Sequence, residues 1–106
     1  MYLLDILNSI ESIEEYLGED RNFKKYESSK LLRRAVEREL EIIGEATNRI
    51  LKIDSTIDIS NARRIVDLRN FVIHAYDSVD DVIIWGILIK DLPLLKKQVQ
   101  KLLEKK

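Results

Sequence analysis

The chain has 106 residues, 45% hydrophobic and 35% charged, with 3 Gly, 1 Pro and no Cys. That composition supports a single domain over residues 1–106 with one core, and it excludes a many-stranded sandwich or barrel, a disulfide framework and a thiolate metal site. A net charge of −1 excludes a global electrostatic footprint for nucleic acid, though not a small local patch.

The N-terminal stretch MYLLDILNSIESIEEYL carries acids early and no basic region, so it does not read as a signal peptide. Its apolar residues Leu3, Ile6, Leu7, Ile10 and Ile13 step by three and four, which predicts a first helix over 2–17 closed by Gly18. Residues 19–27, EDRNFKKYE, are polar and aperiodic and read as a loop. Ser28 or Ser29 then caps a long second helix to Lys52. Its apolar residues, from Leu32 to Leu51, cover about half the circumference, more than a helix packed on one side requires. Residues 53–59 form a loop, and Ser60 caps a third helix over 61–75. Asp80 caps a fourth over 81–90, and a fifth over 92–105 opens with Pro93 in its first turn, where a missing N–H costs nothing. The longest apolar run, VIIWGILI at 82–89, is too short to span a bilayer, so no membrane association is expected. The expected architecture is all-α, an antiparallel bundle of four to five helices.

The third helix holds His74, the only histidine. With Arg69 set at 0° and about 100° per residue, Phe71, Ala75, Leu68, Val72 and Ile65 fall between roughly 200° and 320°, the expected core face. Arg63, Asp67, Asn70 and His74 form a polar stripe at i, i+4, i+7 and i+11. Ala62, Val66 and Ile73 make a second, narrow apolar strip beside Arg69. A helix apolar on two sides must bury both or leave one for a partner, and the expectation is a homodimer packed through the second and third helices.

One His, no Cys and scattered carboxylates give no metal-ligand cluster, and no Gly-rich phosphate loop is present; no metal and no cofactor is expected. His74 is then either a surface or packing residue or the working part of an active site. Arg, His and Asn together suffice to cleave RNA without metal. The imidazole moves a proton between the 2′-hydroxyl, the phosphate and the leaving 5′-oxygen, and a guanidinium stabilises charge on five-coordinate phosphorus. Arg69 and His74 lie about 140° apart around one helix, so one subunit does not aim both at one phosphate, whereas two copies can line a shared cleft.

RNFVIHAY, Arg69 to Tyr76, resembles the R-x4-H-x-Y motif of the HEPN superfamily in its HepT-like toxin branch. AVERELEIIGEATNRI at 35–50, IVDLRNFVIHAYDSVD at 65–80 and WGILIKDLPLL at 85–95 carry the resemblance over nearly the whole chain. It implies a homodimeric, metal-independent, cytoplasmic endoribonuclease, the toxin of a type II toxin–antitoxin module with a composite site at the dimer interface. Arg69 and His74 would be the catalytic pair, with Asn70 assisting. The implied antitoxin is a minimal nucleotidyltransferase that silences the toxin by moving AMP from ATP onto Tyr76. The alternative is a non-catalytic HEPN bundle that serves as a nucleotide- or protein-binding scaffold for that transferase.

Overall fold

The computed structural model describes residues 2–73 and 79–105, with the side chains of 2–67 and 81–105. All its regular elements are helical: α1 (Tyr2–Leu17), α2 (Phe23–Ser28), α3 (Lys30–Ile53), α4 (Ser60–Ile73), α5 (Val79–Gly86), a π turn (Ile87–Asp91) and α6 (Leu92–Glu104). At about 1.5 Å per residue the 24 residues of α3 span about 36 Å, which accounts for most of the 40 Å long axis.

α1 buries Leu3, Ile6, Ile10, Ile13 and Leu17, the stripe its spacing predicts. It stops at Gly18, whose φ of 71° lies where a side chain would be strained and whose N–H donates to the Glu14 carbonyl. Tyr2 lies beneath the Arg49 guanidinium and the Tyr16 hydroxyl donates to Glu39, so α1 runs antiparallel to α3.

The segment read as a loop contains α2. Asn22 caps it by accepting from the Lys25 N–H at 3.2 Å. Phe23 and Tyr26, one turn apart, place their ring centroids 5.7 and 5.5 Å from that of Trp85. The polar composition hid an i, i+3 aromatic pair whose burial against α5 holds six residues helical.

Ser29 caps α3, its hydroxyl accepting from the Leu32 N–H at 3.1 Å. The broad apolar arc of α3 has an intramolecular explanation: α1, α2 and α4 all pack on it. Val36, Leu40, Ile43, Ala46 and Ile50 are buried.

Ser60 does not cap α4. The helix begins on it, and the N–H of Asn61 donates instead to the Gln98 side chain of α6 at 3.3 Å. That bond and an ion pair between Arg64 and Asp91 set α4 antiparallel to the limb formed by the π turn and α6.

The expected fourth and fifth helices are one continuous limb. No break separates α5 from α6; the Leu92 N–H donates five residues back to the Ile87 carbonyl. Pro93 has no N–H, and its ring would crowd the carbonyl four residues earlier in a regular α-helix. The wider π turn directly precedes it and keeps the limb helical. Asp80 lies inside α5, which begins one residue earlier, and so is not its cap.

Candidate active site

α4 is the platform for the R-x4-H-x-Y segment. Arg69 and Asn70 belong to it by backbone, though their side chains lie outside the described residues; His74 and Tyr76 lie outside them altogether. The register of α4 is fixed by its first half. Ile59, Ala62 and Ile65 are fully buried, and Val66 is half-buried, close enough to α3 that a Cβ on Gly44 would meet its γ2 methyl at 3.7 Å. Arg63, Arg64 and Asp67 are exposed.

Of the expected core face only Ile65 has a described side chain, and it is buried; Leu68, Phe71, Val72 and Ala75 lie outside the residues whose side chains are described. Ala62 and Val66, expected on a spare strip, pack inside the fold as well. The physical reason is that α4 packs against both α3 and the α5–α6 limb, so the strip thought to be spare is used inside the fold. Positions 63, 67 and 70 keep the polar stripe expected of them, and the two whose side chains are described, Arg63 and Asp67, are exposed.

Between α4 and α5 only five residues intervene, so the first turn of α5 adjoins the segment that carries the motif. Asp81 in that turn, Glu37 on α3 and Tyr26 on α2 are within electrostatic reach of one another. Burial first, then the Asp81 charge, pushes the Glu37 carboxyl above the usual carboxylate range, while Arg33 and Arg34 oppose the shift. Burial likewise pushes the Tyr26 phenol far up, with Glu37 and Asp81 adding to it.

Sequence reasoning passed over a second feature. Asp91 in the π turn is buried, and its Oδ1 accepts from Arg64 Nε at 2.8 Å. The signal was present: an acid set among apolar residues, in LIKDLPLL, with an arginine exposed on the neighbouring helix.

The family described as ribonuclease HepT-like matches residues 6–102. This chain belongs to that family. It is 37% identical over 101 residues to "Putative RNase MJ1380" of Methanocaldococcus jannaschii, covering 93% of this chain and 91% of that protein. It is 37% identical over 102 residues to "Probable ribonuclease HepT" of Thermococcus cleftensis, covering 95% and 92%. A third relative, "Gamma-glutamylcyclotransferase and putative RNase MJ0434" of Methanocaldococcus jannaschii, is 35% identical over 105 residues, which are 98% of this chain and 47% of that protein. No solved structure matches the chain significantly. Among the described residues of this HepT-like protein no helix is long and apolar enough to cross a membrane.

Proposed function

We propose that this HepT-like protein is a metal-independent, cytoplasmic endoribonuclease, the toxin of a type II toxin–antitoxin module, working as a homodimer. The observation that carries the reading is the R-x4-H-x-Y segment at Arg69–Tyr76, on the last turns of α4 and beyond, in a chain of the ribonuclease HepT-like family. The RNA 2′-oxygen attacks the adjacent phosphorus and expels the 5′-oxygen, leaving a 2′,3′-cyclic phosphate, while His74 moves the proton between the 2′-hydroxyl, the phosphate and the leaving 5′-oxygen. Arg69 stabilises the charge on phosphorus, and Asn70 orients the phosphate or the imidazole.

A spacing of five residues is about 140° on an ideal helix, so the sequence spacing of Arg69 and His74 favours a site shared by two copies. The spare apolar strip of α4 no longer argues for the dimer. An apolar side chain remains exposed beside the site, Val82 in the first turn of α5 at 61%. Regulation follows from Tyr76. Its hydroxyl oxygen attacks the α-phosphorus of ATP in a partner nucleotidyltransferase, pyrophosphate leaves, and the attached AMP puts bulk and negative charge beside a cleft meant for anionic RNA.

The test is RNA cleavage in EDTA by wild type and His74→Ala, each expressed without the transferase and confirmed unmodified by mass. Cleavage by wild type alone is expected. If neither protein cleaves, the scaffold reading replaces this one, and His74 becomes an interface residue.

A further inference from the structure

α3 keeps one apolar line largely in solvent. Leu31 and Ile53, at its two ends, are the most exposed large apolar side chains among the described residues, at 83% and 76%. Ile42, half-buried, lies midway between them. Each interval is 11 residues, a step that turns only about 20° around an α-helix, so the three lie nearly in line. Gly44, which faces α4, is about 160° around the helix from Ile42, so the line points away from α4.

The line is symmetric about Ile42, and so is the chemistry beside it. A two-fold axis at Ile42 can set the α3 of a second copy antiparallel to the first. Ile42 then meets its own counterpart, and Leu31 meets Ile53 of the second copy. Arg38, four residues before the axis, meets Glu45, three residues after it. These two lie about 20° apart on the same side of the line, so cation faces carboxylate twice. Ala35, seven before the axis, leaves room for Arg49, seven after, which leans over the Tyr2 ring. Within one chain Arg38 and Glu45 make only exposed ion pairs, to Glu41 at 3.5 Å and to Arg49 at 3.2 Å. Such pairs contribute little and leave both groups available to a second partner. An open cavity of about 400 Å³ lies beside Leu31, walled by Tyr16, Leu32 and Ala35, and one of about 460 Å³ lies beside Ile53, walled by Tyr2 and Lys52. Each is placed to take the apolar side chain from the opposite end of the other α3.

We propose that this face of α3 is a self-association surface, an antiparallel α3–α3 contact with a second copy of this chain. It is separate from any contact that joins two α4 motif segments, because it lies on the far side of α3. A strip about 33 Å long and one helix wide is at the low end of specific interfaces, so the contact is weak and reversible.

The chain has no cysteine, so introduced thiols report the contact directly. Ile42→Cys puts two thiols at the axis, where the facing Cα atoms of packed helices come within the disulfide range of about 4.4–6.8 Å. Under copper–phenanthroline oxidation it should form disulfide dimers at least about tenfold faster than Lys97→Cys, an exposed control on α6. In the Ile42→Cys background, Arg38→Glu or Glu45→Arg alone should slow the reaction about fivefold or more. The two together should restore it, because the facing pair re-forms with its signs exchanged. A mixture of Leu31→Cys and Ile53→Cys proteins should link crosswise in preference to either linking with itself. Thermal unfolding confirms that the variants fold; if Ile42→Cys does not, the crosswise pairing decides.

An Ile42→Cys protein no faster than the control overturns the contact. So do charge reversals without effect, a double reversal no better than the single ones, or Leu31→Cys that links with itself rather than with Ile53→Cys. The contact uses no motif residue, so His74→Ala should abolish cleavage and leave these rates unchanged.

Discussion

Removing one oxygen atom, in Tyr26→Phe, should make this protein more stable, and increasingly so at high pH. Tyr26 is 1% exposed, packed against Trp85, and its hydroxyl has no hydrogen-bond partner among the described residues. Burying a hydroxyl without a partner forfeits its bonds to water, a cost of about 1–3 kcal/mol, and the phenyl ring keeps the apolar contacts. Taking the low end, Tyr26→Phe gains about 1 kcal/mol, or about 4–5 °C in Tm for a domain of this size.

The pH dependence gives an independent check on the same group. Burial, and then the charges of Glu37 and Asp81, holds the folded phenol's pKa far above its ordinary value of 10, with only Arg33 pulling it down. Above pH 10 the unfolded chain releases this proton and the folded chain keeps it. The unfolded state then binds fewer protons, so stability falls as pH rises, by up to about 1.4 kcal/mol per pH unit from this one residue. The phenyl ring of the variant has no proton to lose. Urea unfolding of both proteins at pH 7, 9, 10.5 and 11 should show a gap that is constant to about pH 10 and then widens; other tyrosines and lysines cancel in the difference. A variant less stable than wild type at pH 7 would mean that the hydroxyl is bonded. A gap that does not change with pH would mean that the phenol is not buried as described.

Three further substitutions probe α3, against which α4 packs. At Gly44 of α3 a Cβ would find only ordinary van der Waals contact with Val66, so Gly44→Ala should recover helix propensity and raise stability by up to about 1 kcal/mol in urea unfolding. A loss instead would show that α4 approaches α3 more closely than the Val66 contact implies. Ile43→Ala, in contrast, empties a fully buried position of the core and should cost about 2–5 kcal/mol, while the same change at Ile53, which is exposed, should stay within about 0.5 kcal/mol.

The parts of this fold that could be read from the residues are those where one physical signal acts alone. α1 touches its neighbours along one stripe, so its three-and-four spacing is its burial pattern. Ser29 and Gly18 end helices by local chemistry that needs no tertiary partner. Two of the misreadings share a cause, a decisive partner distant in sequence: α2 depends on Trp85 and the start of α4 on Gln98. The continuity of the α5–α6 limb is a local matter, a backbone rearrangement just ahead of Pro93.

The same cause hid the packing of Ala62 and Val66 on α4. A wheel drawn from the apolar residues of one helix cannot tell which of two strips a neighbour takes, and α3 takes the one with Val66. The motif itself was legible because its chemistry is carried by residue types at fixed spacing, independent of which face is covered. Under the proposed function Arg69→Lys should be a poor substitute even with charge conserved, since one ammonium cannot present the parallel donors of a planar fork to a phosphate.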